Sequence, residues 1–465
     1  MSISTPEESN SKKVVVETWG CQMNVADSEH LLGQLQEENY KVTLDPQDAD
    51  LVLLNTCHIR EKAKHKVMSR LGRLREIQKD NPKLKIAVAG CVAQAEGKKL
   101  LQQAQNIDIL LGPGKLDQLV PLIHKNEESG RPEVALGFKD EENNQQAPAL
   151  KSNSKSSPTL TGKNEISRFV NISQGCDNFC TFCVVPFTRG REISLHPDKV
   201  VQEVQNHVSA GAKEVTLLGQ NVNSYGHDLA SSKIIEPSDA GPFVDLLKSV
   251  ADVEGLERLR FTTSNPHDFT LPLANLFKET PKLGRYLHLP VQSGNDEVLA
   301  RMKRKVTSAE YLEKVQWLRQ NDPDFAISTD IIVGFPGETE EQFQDTLKLM
   351  EQVQFSFVFA FKYSTRKGTA AARFKDHVAK DIQDRRLAEL NKLQDDITVK
   401  QNLDEVGRQR EVLFLYQSQK EPDVYYGRTQ QFRLVRVKSG RNLVGQTLIA
   451  TITEANKTAL VGRLN

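Results

Sequence analysis

No run of apolar residues in this 465-residue chain approaches the roughly 18 to 20 that cross a bilayer, which argues against a membrane-spanning helix. The opening MSISTPEESNSKK is polar and acidic and lacks the apolar centre of a signal peptide, so a cytoplasmic protein is expected. Net charge is missing too, since 61 Lys and Arg balance 61 Asp and Glu. That excludes a surface coated in positive charge for nucleic acid, but not a local basic patch. Cysteine is scarce, six residues in all. So few thiols in a reducing compartment do not build a disulfide framework; they point to metal binding or redox chemistry.

What is present falls into four stretches. Residues 12–125 alternate short β-branched runs (KVVVETWG, DLVLLNT, KIAVAG, IDILLG) with amphipathic patterns such as DSEHLLGQLQEENY. Alternation of this kind predicts an α/β domain with a doubly wound parallel sheet, whose strands all end on one rim. Residues 126–165 are polar, rich in Ser, Asn, Gln and Pro, and read as a linker. Residues 166–400 offer six candidate strands (SRFVNIS, KEVTLLG, RLRFTTS, RYLHLPVQ, AISTDIIVGF, FSFVFAFKYS) separated by helical patterns. Six βα units fall short of the eight of a closed barrel, so a partial barrel with a lateral mouth is expected. Residues 403–465 carry short strands without a long helix, which predicts a small antiparallel barrel. That block holds ten Lys and Arg against six Asp and Glu, with Tyr425, Tyr426 and Phe432 interleaved, a texture compatible with stacking on bases.

Three cysteines stand together in QGCDNFCTFCVVPFTRGRE: Cys176, Cys180 and Cys183. A fourth thiol is missing. Thiolates suit zinc or iron–sulfur clusters. Structural zinc would need a further ligand, for which His196 is the only close candidate, and a ferredoxin-type cluster wants four cysteines. Three thiolates leave one metal position open, which is the requirement for chemistry rather than scaffolding. Cys21, Cys57 and Cys91 each follow a strand of the first domain, so these distant thiols are expected to converge on its rim.

CDNFCTFC after the first barrel strand resembles the signature of the radical S-adenosylmethionine (SAM) superfamily. In that family the three thiolates hold a 4Fe–4S cluster whose fourth iron is chelated by SAM, and reductive cleavage of SAM yields a 5′-deoxyadenosyl radical. GCQMN, NTCHIREKA, GCVAQ and CDNFCTFCVVPFTRGRE together resemble the MiaB-type tRNA methylthiotransferases, a likeness that covers nearly the whole chain. The resemblance implies a second 4Fe–4S cluster on Cys21, Cys57 and Cys91, and a C-terminal TRAM domain that grips RNA. It further implies methylthiolation of C2 of N6-isopentenyladenosine at position 37 of tRNA, using two molecules of SAM. An aromatic C–H has no acidic proton, so a radical route suits that chemistry. The implied partners are the anticodon stem-loop of tRNA and an electron donor such as flavodoxin or ferredoxin, with no membrane, and a monomer is expected.

Further candidates are graded by position. Phe182, Gly219, Gln220, Asn221, Gly334 and Gly337 resemble segments that approach SAM in the superfamily. GQN departs there from the commoner GGE, and Gly334 and Gly337 also suit turns, with Thr339 capping the helix that follows. Arg60, Arg189, Arg191, Arg433 and Arg436 are candidate contacts for substrate phosphate or carboxylate, against the alternatives of local ion pairs and a solvated basic helix over 59–79. Three other readings stay open. One is a relative acting on threonylcarbamoyladenosine or on a ribosomal-protein aspartate; another is a zinc-dependent RNA-binding module without catalysis; the third is an iron–sulfur electron carrier.

Overall fold

The fold is taken from a computed structural model that describes residues 11–57, 61–138 and 166–464, with backbone alone for 61–64. Two compact units result: Met1–Gly162 with Val184–Arg191, and Lys163–Cys183 with Glu192–Asn465.

The first unit is built on six strands, β1 (Lys12–Trp19), β2 (Tyr40–Val42), β3 (Leu51–Thr56), β4 (Lys85–Gly90), β5 (Ile109–Leu111) and β6 (Glu133–Ala135). All pair in parallel, in the order β2-β1-β3-β4-β5-β6. Every residue of β3 is buried, as a strand covered on both faces must be. Leu51 and Leu53 face α1 (Gln22–Glu37) and α5 (Leu119–Ser129), while Val52 and Leu54 face α2 (Glu61–Asp80), α3 (Cys91–Glu96) and α4 (Lys98–Gln103). A short helix from the later segment, α6 (Val185–Thr188), packs beside α3.

Two elements differ from the sequence reading. Tyr40, expected at a helix end, opens the edge strand β2, because its ring is buried while Lys41 and Val42 lie exposed. Residues 126–138, expected as the start of a linker, complete α5 and add β6. The cause is polar burial that apolar periodicity does not register: Asn126 donates to the Arg131 carbonyl at 2.8 Å, and Glu133 takes a hydrogen bond from Lys125 at 2.6 Å. The rest of the expected linker, 139–165, lies outside the described residues.

In the second unit β7 (Ser167–Asn171) leads to a two-residue pair, β8 (Ser173–Gln174) with β9 (Ile193–Ser194). The remaining barrel strands are β10 (Glu214–Leu218), β11 (Arg258–Thr262), β12 (Tyr286–His288), β13 (Ala326–Val333) and β14 (Phe357–Lys362). They form two parallel sheets, β11-β10-β7 and β12-β13-β14, joined by a bridge from Leu259 to Leu283. Among the described residues no ladder joins β7 to β14, so the six-stranded barrel is open. Its helices are α7 (Pro197–Ser209), α8 (His227–Ser231), α9 (Pro242–Ala251), α10 (Leu271–Glu279), α11 (Asp296–Arg301), α12 (Ser308–Asn321) and α13 (Glu340–Val353). The long α14 (Lys380–Leu403) then leads into a closed barrel of β15 (Gln409–Gln417), β16 (Val424–Thr429), β17 (Leu434–Lys438), β18 (Thr447–Ala455) and β19 (Leu460–Leu464).

The turn between β16 and β17 is fastened to the N-terminal ends of the open barrel's strands. Arg260 pairs with Glu214 at 2.8 Å, both side chains 3% exposed. The same guanidinium donates to the carbonyls of Thr429 and Gln430, and Arg258 donates to that of Arg428 and to Glu411. Phe432 stacks on Tyr286 with ring centres 4.7 Å apart, beneath the guanidinium groups of Arg260 and Arg428. Removing one partner of a buried ion pair costs about 3–5 kcal/mol, because the other charge is stranded. Glu214→Ala should therefore lower the urea midpoint reported by Trp317 fluorescence markedly. Asp396→Ala, at an exposed pair with Lys392, should cost under about 1 kcal/mol.

Candidate active site

The strand register explains why three distant thiols meet. Trp19 pairs with Thr56 and Thr56 with Gly90, so Gly20–Cys21, Cys57 and Cys91 leave three adjacent strands at one level. Cys57 N donates to the Trp19 carbonyl at 2.8 Å. Close packing at this rim dictates glycine. A Cβ on Gly20 would fall 2.9 Å from that of Cys57, and Gly90 has φ +90° with the Thr56 carbonyl 2.7 Å from where its Cβ would be. Cys57 and Cys91 are buried, and Cys21, at the N-cap of α1, is exposed. A hydrogen bond from the Cys57 thiol, aided by the charge of Arg189, pulls the Cys21 thiol down to about 6.

Arg189 corrects an expectation. Read as a contact for substrate phosphate, it is 5% exposed and pairs with the buried Asp27 at 2.7 Å, its charge felt by Cys21 and Cys91. A guanidinium so enclosed stands in the wall of the thiol site. Behind it lies a buried polar group on α1 and β3. Asn24 donates to Asn55 at 3.2 Å, and Asn55 donates to the Asn24 carbonyl and to Ser28.

The second trio occupies the loop after β8. Cys176 is buried, Cys180 and Cys183 are half-buried, and Cys183 N donates to the Cys180 carbonyl at 3.0 Å. Burial pushes the Cys176 thiol up to about 11, with the charge of Glu192 and of Cys180 adding to it. Glu192 is itself pushed up to about 7 by burial and by Asp228, Asp177 and Asp268, although it accepts a hydrogen bond from Ser224. This acidic lining is absent from the sequence reading. So are Ser173 and Ser264, whose buried hydroxyls, like the Asn221 carbonyl oxygen, find no partner among the described residues. All three stand just past the C-terminal ends of β7, β10 and β11. Orphaned polar atoms and carboxylates beside three thiols fit a polar, cationic cofactor docked on a cluster.

The other expected residues are placed as follows. Gly219 allows close approach, since a Cβ there would lie 2.6 Å from the Ser173 hydroxyl. Gln220 is tied down, accepting from Gly175 N, and Asn221 donates to Asp268 at 2.7 Å. Gly334 and Gly337 have φ +68° and +81°, and Thr339 completes a capping box with Gln342, so the turn reading of this segment accounts for them. Phe182 packs against Val298, Met302, Phe335 and Tyr363. His196 caps α7 through Asp198 N and is thereby engaged away from the thiols. Arg433 donates to Asn402 at 2.6 Å, and Arg436 pairs with Glu421 at 3.0 Å, leaving it a third exposed. Arg433 is thus engaged at the joint between α14 and the closed barrel. Arg191 is exposed, and Arg60 lies outside the described residues.

Among the described residues no three His, Cys, Asp or Glu side chains close on a single-ion site. Thiols that meet from three strand ends, or that are gathered in one loop, suit the corners of a cluster instead.

Comparison with known proteins follows the same division. Residues 13–112 match the model of the Uncharacterized protein family UPF0004, and residues 170–350 that of the Radical SAM superfamily, so each range encloses one trio. The tRNA-2-methylthio-N(6)-dimethylallyladenosine synthase of Geobacter sulfurreducens is 43% identical over 454 residues, which cover 98% of this chain and 98% of that one. The chain belongs to this family of radical SAM enzymes. The synthase of Neisseria meningitidis serogroup C is 40% identical, covering 97% of this chain and 99% of its own. Among solved structures, the radical SAM methyltransferase TsrM of Kitasatospora setae superposes with a TM-score of 0.55 at 14% identity, covering 78% of this chain and 77% of that one. This likeness concerns the fold. No helix among the described residues of this synthase-family chain is long and apolar enough to cross a membrane.

Proposed function

We infer that the protein methylthiolates C2 of N6-isopentenyladenosine at position 37 of tRNA. Cys176, Cys180 and Cys183 would hold the 4Fe–4S cluster that cleaves SAM, and Cys21, Cys57 and Cys91 a second one for sulfur transfer. One observation carries the reading: end-to-end similarity to the synthases accompanies two sites of three thiols, each a ligand short of a closed metal site. When bound, the groups supply an electron for SAM cleavage at one site and a sulfur-bearing metal for methyl transfer at the other.

The chain's own residues do the rest. Glu192, beside Cys176 and held near 7 by burial and by Asp228 and Asp268, offers a carboxyl that the ammonium or sulfonium of SAM would draw into its charged form. Ser173, Asn221 and Ser264 offer it hydrogen bonds. The C-terminal barrel serves as the TRAM domain, with a half-buried Arg436 and a stacked pair, Tyr416 on Tyr426 at 5.3 Å, as surfaces for RNA. The enzyme works in the cytoplasm as a monomer, reduced by flavodoxin or ferredoxin.

The test is mass spectrometry of tRNA nucleosides from cells lacking the gene. Unmethylthiolated N6-isopentenyladenosine should accumulate, and the full chain supplied in trans should clear it. Unchanged isopentenyladenosine products, with the methylthio group lost from threonylcarbamoyladenosine or from a ribosomal-protein aspartate, would refute the assignment.

A further inference from the structure

One cation near the second trio has no role so far. Helix α11 ends in a turn where Lys303 adopts φ +56°, a left-handed conformation that glycine usually fills. Lys303 N bonds back to the Ala300 carbonyl at 2.9 Å and Arg304 N to that of Leu299 at 2.9 Å, the pair of bonds that defines a Schellman cap. A lysine held in this region is a local strain, and such strain persists where the surroundings demand it. Here it turns the chain sharply. The carbonyls of Arg301 and Met302 then receive Thr181, through its hydroxyl at 2.9 Å and its N–H at 3.0 Å. The cysteine loop is thus sewn to the end of α11, and the next side chain reaches into it.

That side chain is Arg304. One terminal nitrogen lies 3.7 Å from the Cys180 sulfur, and the other donates to the Pro290 carbonyl at 2.6 Å, at the end of β12. Its Nε is buried without a partner. These contacts are with neutral groups and one thiol, and among the described residues no carboxylate pairs with it. A partly buried guanidinium with one nitrogen on the Cys180 sulfur and its Nε unpartnered is placed to hydrogen-bond a cluster ligand there.

We propose that Arg304 is a positioning residue that hydrogen-bonds the Cys180 thiolate and raises the reduction potential of the cluster held there. The inference rests on the assignment of that cluster to Cys176, Cys180 and Cys183. Donors to cluster sulfurs and nearby positive charge favour the more negative, reduced state, and so ease one-electron reduction by dithionite or by the physiological donor. Planar fork geometry matters as well, since the guanidinium must reach sulfur and carbonyl together. Lysine supplies the charge without the fork.

The experiment is a redox titration followed by electron paramagnetic resonance on the full-length chain carrying Cys21→Ala, Cys57→Ala and Cys91→Ala, so that a single cluster is read. Arg304→Gln should shift the oxidised-to-reduced ratio at a given potential at least tenfold, a midpoint about 59 mV more negative for a one-electron couple. Arg304→Lys should shift less and in the same direction, with iron content retained. An unchanged midpoint in Arg304→Gln at full iron content would overturn the proposal. Loss of iron in both variants would overturn it too, by making the residue a structural post. A parent chain without any cluster signal would remove the assignment beneath it, and that failure is recognised before residue 304 is touched.

Discussion

Alanine at Cys180 should abolish SAM cleavage, whereas alanine at Cys57 should leave cleavage within a few-fold of the parent and abolish methylthiolation. The two trios emerge from different strand sets in different compact units, so their metal contents should fall independently. Anaerobically reconstituted protein with both clusters would hold about eight irons, and either substitution should leave about four. Formation of 5′-deoxyadenosine under dithionite reads one site, and methylthiolated nucleoside reads the other. Cys180 is more informative than the buried Cys176 because it is half-buried and adds less packing of its own. A Cys180→Ala protein that still cleaves SAM at a parental rate would end the assignment of that trio.

The second large effect concerns the ion pair beside the other trio. Arg189→Met takes the cation from the buried Asp27 carboxylate, and Asp27→Asn takes the anion from the buried guanidinium; either should cost about 3–5 kcal/mol of unfolding free energy. Their effects on Cys21 should have opposite signs. The Cys57 hydrogen bond and the charge of Arg189 favour the Cys21 thiolate, so losing the cation raises its titration and losing the neutralising Asp27 lowers it. Alkylation of Cys21 by iodoacetamide in the metal-free protein should therefore turn on near pH 6 in the parent, later in Arg189→Met and earlier in Asp27→Asn. The folded thiol titrates below its ordinary 9.0. Its contribution to the metal-free fold is thus present above that value and lost as pH falls through about 6. Identical pH profiles in all three proteins would show that Arg189 has no electrostatic hold on the thiols.

How far the sequence carried the reading varies with the range of the interaction. The first unit's sheet was legible because β3 and β4 contain the unbroken apolar runs LVLL and IAVA, a purely local pattern. The six barrel strands were legible for the same reason. Strands β2 and β6 escaped because three residues with mixed burial show no period. No glycine marks the turn at Phe432, with φ +67°, that separates β16 from β17. The partner of Arg189 is 162 residues away, and no local rule names it. A signal did exist on the other side of that pair. Asn24, Asp27 and Ser28 fall on the stripe of α1 that Leu31, Leu32 and Leu35 continue, and polar groups on a buried stripe mark a site that needs them. The acidic lining around Glu192 was out of reach because Asp177, Asp228 and Asp268 are far from it in sequence and meet it only in the fold.

The fastening of the β16–β17 turn bears on how RNA capture should be probed. A chain ended before Gln409 would expose Phe432's footprint on Tyr286 and leave Arg258 and Arg260 donating to carbonyls that no longer exist. Such a deletion would injure the catalytic half directly, and its inactivity would say nothing of nucleic-acid grip. Point changes on the solvent side of the small barrel, at Tyr416 or Arg436, separate the two roles that truncation would merge.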